Sequence, residues 1–236
     1  MKNAVPKPDF RLKFYEPGSR PYSQGEEIAN SVTHGVGIVL AIAGLSVLTS
    51  FASVFGTAWH IVSCSIYGAT QILLYTASTL YHSITHPRAK AILRVLDHSS
   101  IFLLIAGTYT PFTLVNLRGP WGWTIFGIVW ALALIGISLQ AFLMRRTWMR
   151  RKAIWTTLPY IAMGWVAIIG IKPVFESIAP GGIVLLVAGG LAYTVGSIFY
   201  VWKRLPFNHA IWHLFVLAGS AFHFFAVLFY VIPLAG

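Results

Sequence analysis

Charge is scarce in this chain: Asp, Glu, Lys and Arg make up 10% of its residues, against about 25% in an ordinary soluble domain. That shortage excludes a water-soluble globule. Acidic residues are scarcer still, and five of the six (Asp9, Glu16, Glu26, Glu27 and Glu176) fall outside the long apolar stretches, leaving Asp97 as the carboxylate expected within one. A single cysteine, Cys64, has nothing to pair with inside the chain, which excludes an internal disulfide framework and leaves a packing role. The first 29 residues hold no apolar segment resembling a signal-peptide core, so no cleavage is expected. Low-complexity tracts, short-period repeats and a soluble second domain are absent as well.

What is present is apolar: 57% of the residues, gathered into runs of roughly 20, the length a helix needs to cross a hydrocarbon core about 30 Å thick. Spans are predicted near 30–50, 59–83, 95–117, 121–143, 153–172, 181–202 and 209–232. The expected fold is therefore an all-α membrane protein, a seven-transmembrane-helix bundle forming one domain (30–236) behind a cytoplasmic tail (1–29). Ser23-x-x-Glu26 has the pattern of a capping box that starts the first helix. Trp59, Trp121, Trp123, Trp148 and Trp155 near span ends suit interfacial anchoring, and Pro111, Pro159 and Pro173 suit bends or ends of helices.

Orientation follows from basic residues, which accumulate in cytoplasmic segments. Fifteen of the seventeen Lys and Arg fall in the tail and in alternate connections, including Arg88, Lys90 and Arg94, the run Arg145 to Lys152, and Lys203 with Arg204; the other side holds Arg118 and Lys172. The N-terminus is thus expected in the cytoplasm and the C-terminus outside. A formal charge of +11 spread along one membrane face points to anionic lipid headgroups as partners, not nucleic acid.

On this topology the end of the second span and the starts of the third and seventh share one face of the membrane. Ser78-x-x-x-His82 ends span two, Asp97 opens span three, and His209-x-x-x-His213 opens span seven. Residues four apart lie on nearly the same side of a helix, so His209 and His213 can share an ion. Three imidazoles and a nearby carboxylate are what a catalytic zinc requires, with a position left for water. Each piece has an ordinary alternative: histidines four apart often make separate hydrogen bonds, and Asp97 could cap a helix or pair with Arg94 one turn earlier. Asn30, His34 and His98 are candidates to orient a ligand or the carboxylate. His86 is expected in solvent, His60 on the opposite face, and His223 about 15 Å along the helix from His213, too far to join the same ion.

Together these residues resemble the hemolysin III family, the bacterial branch of the progestin and adiponectin receptor family. The resemblance rests on Glu27-x-x-Asn30-x-x-Thr33-His34, Ser78-Thr-Leu-Tyr-His82, Leu96-Asp97-His98-Ser99 and His209-x-x-x-His213 followed by Phe222-His223. The chain is also similar to alkaline ceramidase-like membrane hydrolases with a serine, an aspartate and three histidines. The resemblance implies a bacterial plasma-membrane location, zinc held by His82, His209 and His213 near the cytoplasmic leaflet, and Ser78 and Asp97 beside it. The expected function is zinc-dependent intramembrane hydrolysis of a lipid-like amide or ester, with a place in membrane lipid homeostasis. Asp97 would then carry the proton from water to the leaving group, and Ser78 would hydrogen-bond the water or the developing oxyanion. The competing expectations are a zinc-containing membrane sensor or regulator without enzymatic activity, and, ranked below it, a pore or transporter.

Overall fold

The computed structural model describes residues 22–143 and 153–233. These residues are helical throughout their ordered elements, and no strand occurs among them. The basic residues of the tail before Tyr22, those from Arg145 to Lys152, and the side chain of Trp155 lie outside the described part. The helices are α1 (Gln24–Phe55), α2 (Ala58–Ser83), α3 (Pro87–Pro111), α4 (Pro120–Leu143), α5 (Ala153–Gly164), α6 (Ile171–Ser177), α7 (Pro180–Val201) and α8 (Asn208–Tyr230). Among the described residues six apolar helices are long enough to cross a membrane, one of them formed by α5 and α6 with the 3-10 turn Val166–Gly170 between them. α2 has the length, at 26 residues, and no Asp, Glu, Lys or Arg, but Ser63, Thr70, Gln71, Ser78 and His82 lower its hydropathy. Those groups are buried, so α2 is polar because it faces the interior.

The surface confirms a lipid-facing exterior. Val39, Leu40, Val54, Leu134, Ile135, Val184 and Phe229 are among the many large apolar side chains left exposed, a far larger apolar surface than a soluble monomer shows. Polar side chains are packed inside: Asn30, Ser78, Thr110 and His213 are almost wholly buried.

Local chemistry explains where helices start, bend and stop. Ser23 Oγ accepts from Glu26 N at 3.2 Å while Ser23 N donates to the Glu26 carboxylate at 2.8 Å, the expected capping box. α1 therefore begins six residues before the expected span start at 30. Pro111 has no N–H, and its ring crowds the carbonyl one turn back; the helix widens after it into a π turn, Phe112–Asn116. Pro159 is accommodated within α5, and the 3-10 turn Val166–Gly170 interrupts the crossing formed by α5 and α6; the Tyr109 hydroxyl patches that break, donating to Gly164 O at 2.7 Å and accepting from Ala167 N at 3.0 Å. Gly119, at φ 142°, makes the turn into α4 where a side chain would be strained. Cys64 is buried in the core against Tyr67, Phe102 and their neighbours, as packing requires.

α2 lies between α1 and α3, and α8 lies between α7 and α1. This order brings the last turn of α2 and the first turns of α8 against the beginning of α1. At the far end, Arg118 stacks over Trp59 at 4.2 Å, and Trp59 meets Trp123 edge-on.

Candidate metal centre

α8 places His209 and His213 one above the other because four residues make just over one turn. Its start is held by an unusual residue: Phe207 adopts the left-handed conformation (φ 55°), which costs about 1–2 kcal/mol for a residue with a side chain. The buried carboxylate of Glu26 offsets this by accepting from Phe207 N at 2.9 Å. Asn208 then donates to the carbonyls of Phe199 and Tyr200, closing the end of α7. α1 and α7 together thus set the position at which His209 enters the site.

His82 arrives from the last turn of α2. Its ring lies 4.9 Å from that of His209 and 5.4 Å from that of His213, and the His209 and His213 rings are 4.4 Å apart. One ligand atom from each histidine can be chosen so that all three lie within 4.8 Å of one another, and all three residues are buried. His82, His209 and His213 could therefore hold a metal ion.

The hydrogen bonds decide which ring atoms are free. His82 Nδ1 lies 2.6 Å from Glu27 Oε2; a carboxylate can only accept, so Nδ1 carries the proton and Nε2 presents its lone pair. His213 Nδ1 lies 3.1 Å from Asn30 O, again an acceptor, and donates also toward Thr33 Oγ1 at 3.1 Å, whose own proton goes to Ala29 O. His213 Nε2 is then the nitrogen left to ligate an ion. Asn30 Nδ2 stands 3.4 Å from His82 Nδ1; both atoms carry protons, so this is a contact and not a bond. His82 Nε2 and both nitrogens of His209 are buried with no hydrogen-bond partner. An unmatched buried nitrogen costs about 1–3 kcal/mol, and the lone pairs of His82 Nε2 and one nitrogen of His209, beside His213 Nε2, are the chemistry of an N-ligated divalent ion. The donor set fits the expected metal.

Asp97 lies ten residues inside α3, so it is not a helix cap; the span begins at Pro87, earlier than the expected 95. Its carboxylate stands 3.5 Å from His98 Nδ1, while that nitrogen donates to Arg94 O at 3.0 Å. Tyr160 OH binds His98 O at 3.1 Å, so α5 steadies this turn of α3. Ser78 sits one turn before His82, fully buried, with its hydroxyl unpartnered. His34 stacks on His213 with ring centroids 3.5 Å apart, and neither of its nitrogens has a partner. Of the remaining histidines, His86 caps α3, His60 binds Thr57 at the opposite end of α2, and His223 meets Leu186 O.

A cavity of about 250 Å³ adjoins the site. His34, Asp97, His98, His209 and His213 line one end; from there it runs between α3, α5, α7 and α8 past Leu104, Ile161, Gly190 and Val216 to Phe112, Ile178 and His223. The lining beyond the site is mainly aliphatic and aromatic. Ser78 is not among the residues lining it.

Sequence reasoning quoted Glu27 and Thr33 as marks of the family and Lys90 as a basic residue of the connection, but gave none of them, nor Tyr22, a place at the site. Glu26 and Glu27 were expected ahead of the first span; both belong to α1, Glu26 is buried, and Glu27 is the partner of His82. The three-residue steps from Glu27 to Asn30 to Thr33 were the available signal, since they place all three on one helical face. Tyr22 has its ring 5.4 Å from that of His209 and 6.1 Å from that of His82, and no spacing pattern marks it.

Comparison with known proteins gives the family of the chain. Residues 22–224 match the family model described as Haemolysin-III related. The chain is 55% identical over 210 residues to Hemolysin-3 of Bacillus cereus, covering 89% of this chain and 94% of that one. It is 52% identical over 207 residues to the Hemolysin-3 homolog of Bacillus subtilis (strain 168), covering 88% and 95%. The Monocyte to macrophage differentiation factor of Homo sapiens is 28% identical over 214 residues, 87% of this chain and 84% of that one.

Proposed function

Because the chain belongs to the haemolysin-III-related family, and because His209 and His213 of its buried histidine triad line one end of an apolar cavity, we propose that it is a zinc-dependent hydrolase of a lipid-like amide or ester. In this reading α2 is the seventh crossing beside the six apolar ones, the N-terminus is cytoplasmic, and the site lies near the inner leaflet of a bacterial plasma membrane. The observation that carries the proposal is the continuity of the cavity: His209, His213 and Asp97 share one lining with a long aliphatic passage. A lipid has that shape, a polar scissile group ahead of an apolar chain.

His82, His209 and His213 would hold the ion. Zinc held there would supply a Lewis acid that polarises a carbonyl and lowers the pKa of water toward about 7. Asp97 opens onto the same space and serves as the proton acceptor, returning the proton to the leaving nitrogen or oxygen. His98 stands beside it, with Nδ1 3.5 Å from the carboxylate. Ser78 has an unpartnered hydroxyl one turn from His82; it lies behind the cavity wall, and in this reading its hydroxyl would reach the reacting oxygen only on the His82 side of the ion. The aliphatic walls exclude bulk water from the acyl portion, and the exposed basic residues of that face would attract anionic headgroups.

The largely apolar cavity lining disfavours a pore or ion transporter, which needs a polar path. The test is metal analysis of detergent-purified protein, followed by hydrolysis assays with lipid amides and esters. Zinc near one equivalent per chain with turnover supports the hydrolase. Zinc without turnover on either class favours a structural metal in a membrane regulator.

A further inference from the structure

Three elements converge on the side of His82 that faces away from the triad. Glu27 Oε2 takes the Nδ1 proton at 2.6 Å, and Lys90 Nζ holds the other carboxylate oxygen at 2.8 Å. Lys90 also donates to Tyr81 O at 3.1 Å, one of the carbonyls at the end of α2 that has no intrahelical partner. The carboxylate is thereby held between the start of α3 and the end of α2, with one oxygen committed to each neighbour. α1 supplies no metal ligand, yet Glu27, Asn30 and Thr33 on its inner face touch the Nδ1 edges of two of the three histidines.

We infer that Glu27 is a positioning residue for the metal centre: it fixes the His82 tautomer and ring orientation and makes Nε2 a stronger donor to the ion. The physical basis is the 2.6 Å contact between a fully buried imidazole and an acceptor-only group. Neutral imidazole has one lone pair, and a carboxylate on Nδ1 leaves it on Nε2; negative charge on that side also raises the basicity of the ring toward a cation. Lys90 keeps the carboxylate in place. The inference rests on the proposed zinc site and concerns how this chain builds it, whether or not the ion is used in hydrolysis.

The experiment is zinc affinity, by competition with a chelator, for the full-length protein in detergent, with the melting temperature of the stripped protein measured alongside. Glu27→Gln keeps an acceptor without the charge, and Glu27→Asp keeps the charge but withdraws it by one carbon. Both are expected to weaken zinc binding about 10–100-fold, the usual cost of losing such a partner. Ser31→Ala is the control, because it removes the 2.6 Å bond between Ser31 and Ser83 across the same pair of helices without touching a histidine; its affinity is expected to equal wild type. If Glu27→Gln fails to fold, Glu27→Asp carries the comparison. An equal loss in Ser31→Ala would overturn the inference by assigning the effect to α1–α2 packing. Undiminished affinity in both Glu27 variants, with wild type binding normally, would overturn it while leaving the zinc site intact. Wild type that binds no zinc would instead remove the metal reading itself.

Discussion

Replacing Gly190 with leucine should plug the cavity part-way along its length. Gly190 is part of the lining on α7, and a Cβ at this position meets nothing nearer than the Trp165 ring at 3.6 Å, an ordinary contact. Leucine also favours helix over glycine by about 0.8 kcal/mol, so α7 should form at least as well. Tyr200 marks the site end, its ring 5.6 Å from that of His209; Gly190 is ten residues away, about 15 Å along the helix. Along α7 the lining runs from Tyr200 to Ile183, about 26 Å on the same scale, and continues to Ile178. A substrate chain should therefore keep a little more than half of the passage in the variant and lose the rest. Each methylene kept out of apolar surroundings forfeits about 0.8 kcal/mol, or about 4-fold in kcat/KM. The assay is kcat/KM across a series of amides or esters of increasing chain length, on protein of matched zinc content. Wild type should gain about 4-fold per methylene until the cavity is filled; Gly190→Leu should follow the same line for short chains and level off earlier. Profiles that superimpose at every chain length would refute the placement of the substrate chain in this cavity.

The site itself separates by substitution. His82→Ala and His209→Ala should each bring zinc well below one equivalent by elemental analysis, and unchanged zinc in all three single histidine variants would show that the triad is not the ligand set. Asp97→Asn should retain zinc but lose about 10²–10⁴-fold in turnover, the range for general acid–base catalysis; undiminished hydrolysis would remove its proton-transfer role. On the structural side, Gly107→Ala forces a Cβ to within 2.1 Å of Thr70 Oγ1 between α3 and α2, an overpacking cost of about 1–3 kcal/mol. Thermal unfolding should show that loss, and Thr70→Ala in the same chain should recover much of it; a wild-type melting temperature for the single variant would contradict the tight α2–α3 approach.

Much of the architecture was legible in the sequence, because a bilayer imposes one demand on every crossing: enough consecutive apolar residues, with backbone hydrogen bonds satisfied inside the helix. Six apolar helices among the described residues stand where spans were expected, and α2 is a helix over the residues of the remaining one, less apolar than the others. The Ser23–Glu26 capping box was readable for a similar reason, since its partners are three residues apart. The histidine triad was legible because alternate helix ends must share a membrane face, and four-residue spacing stacks two imidazoles on one side of a helix. Hydropathy misplaced where α1 and α3 begin. Polar first turns do not register as apolar runs, so Glu26 and Glu27 were read as tail and Asp97 as the opening of a span it enters ten residues late.

The sequence by itself determined a helical membrane protein and the side-chain types gathered at one end of it, because periodicity and length are properties of a single segment. Tertiary structure alone decided which nitrogen of each histidine is free. Glu27 reaches His82 across 55 positions and Asn30 O reaches His213 across 183, and those distances exist only once α1 lies against α2 and α8. The cavity beside the triad has the same origin: it is the space left between α3, α5, α7 and α8, a property of how four helices diverge and of no residue within any one of them.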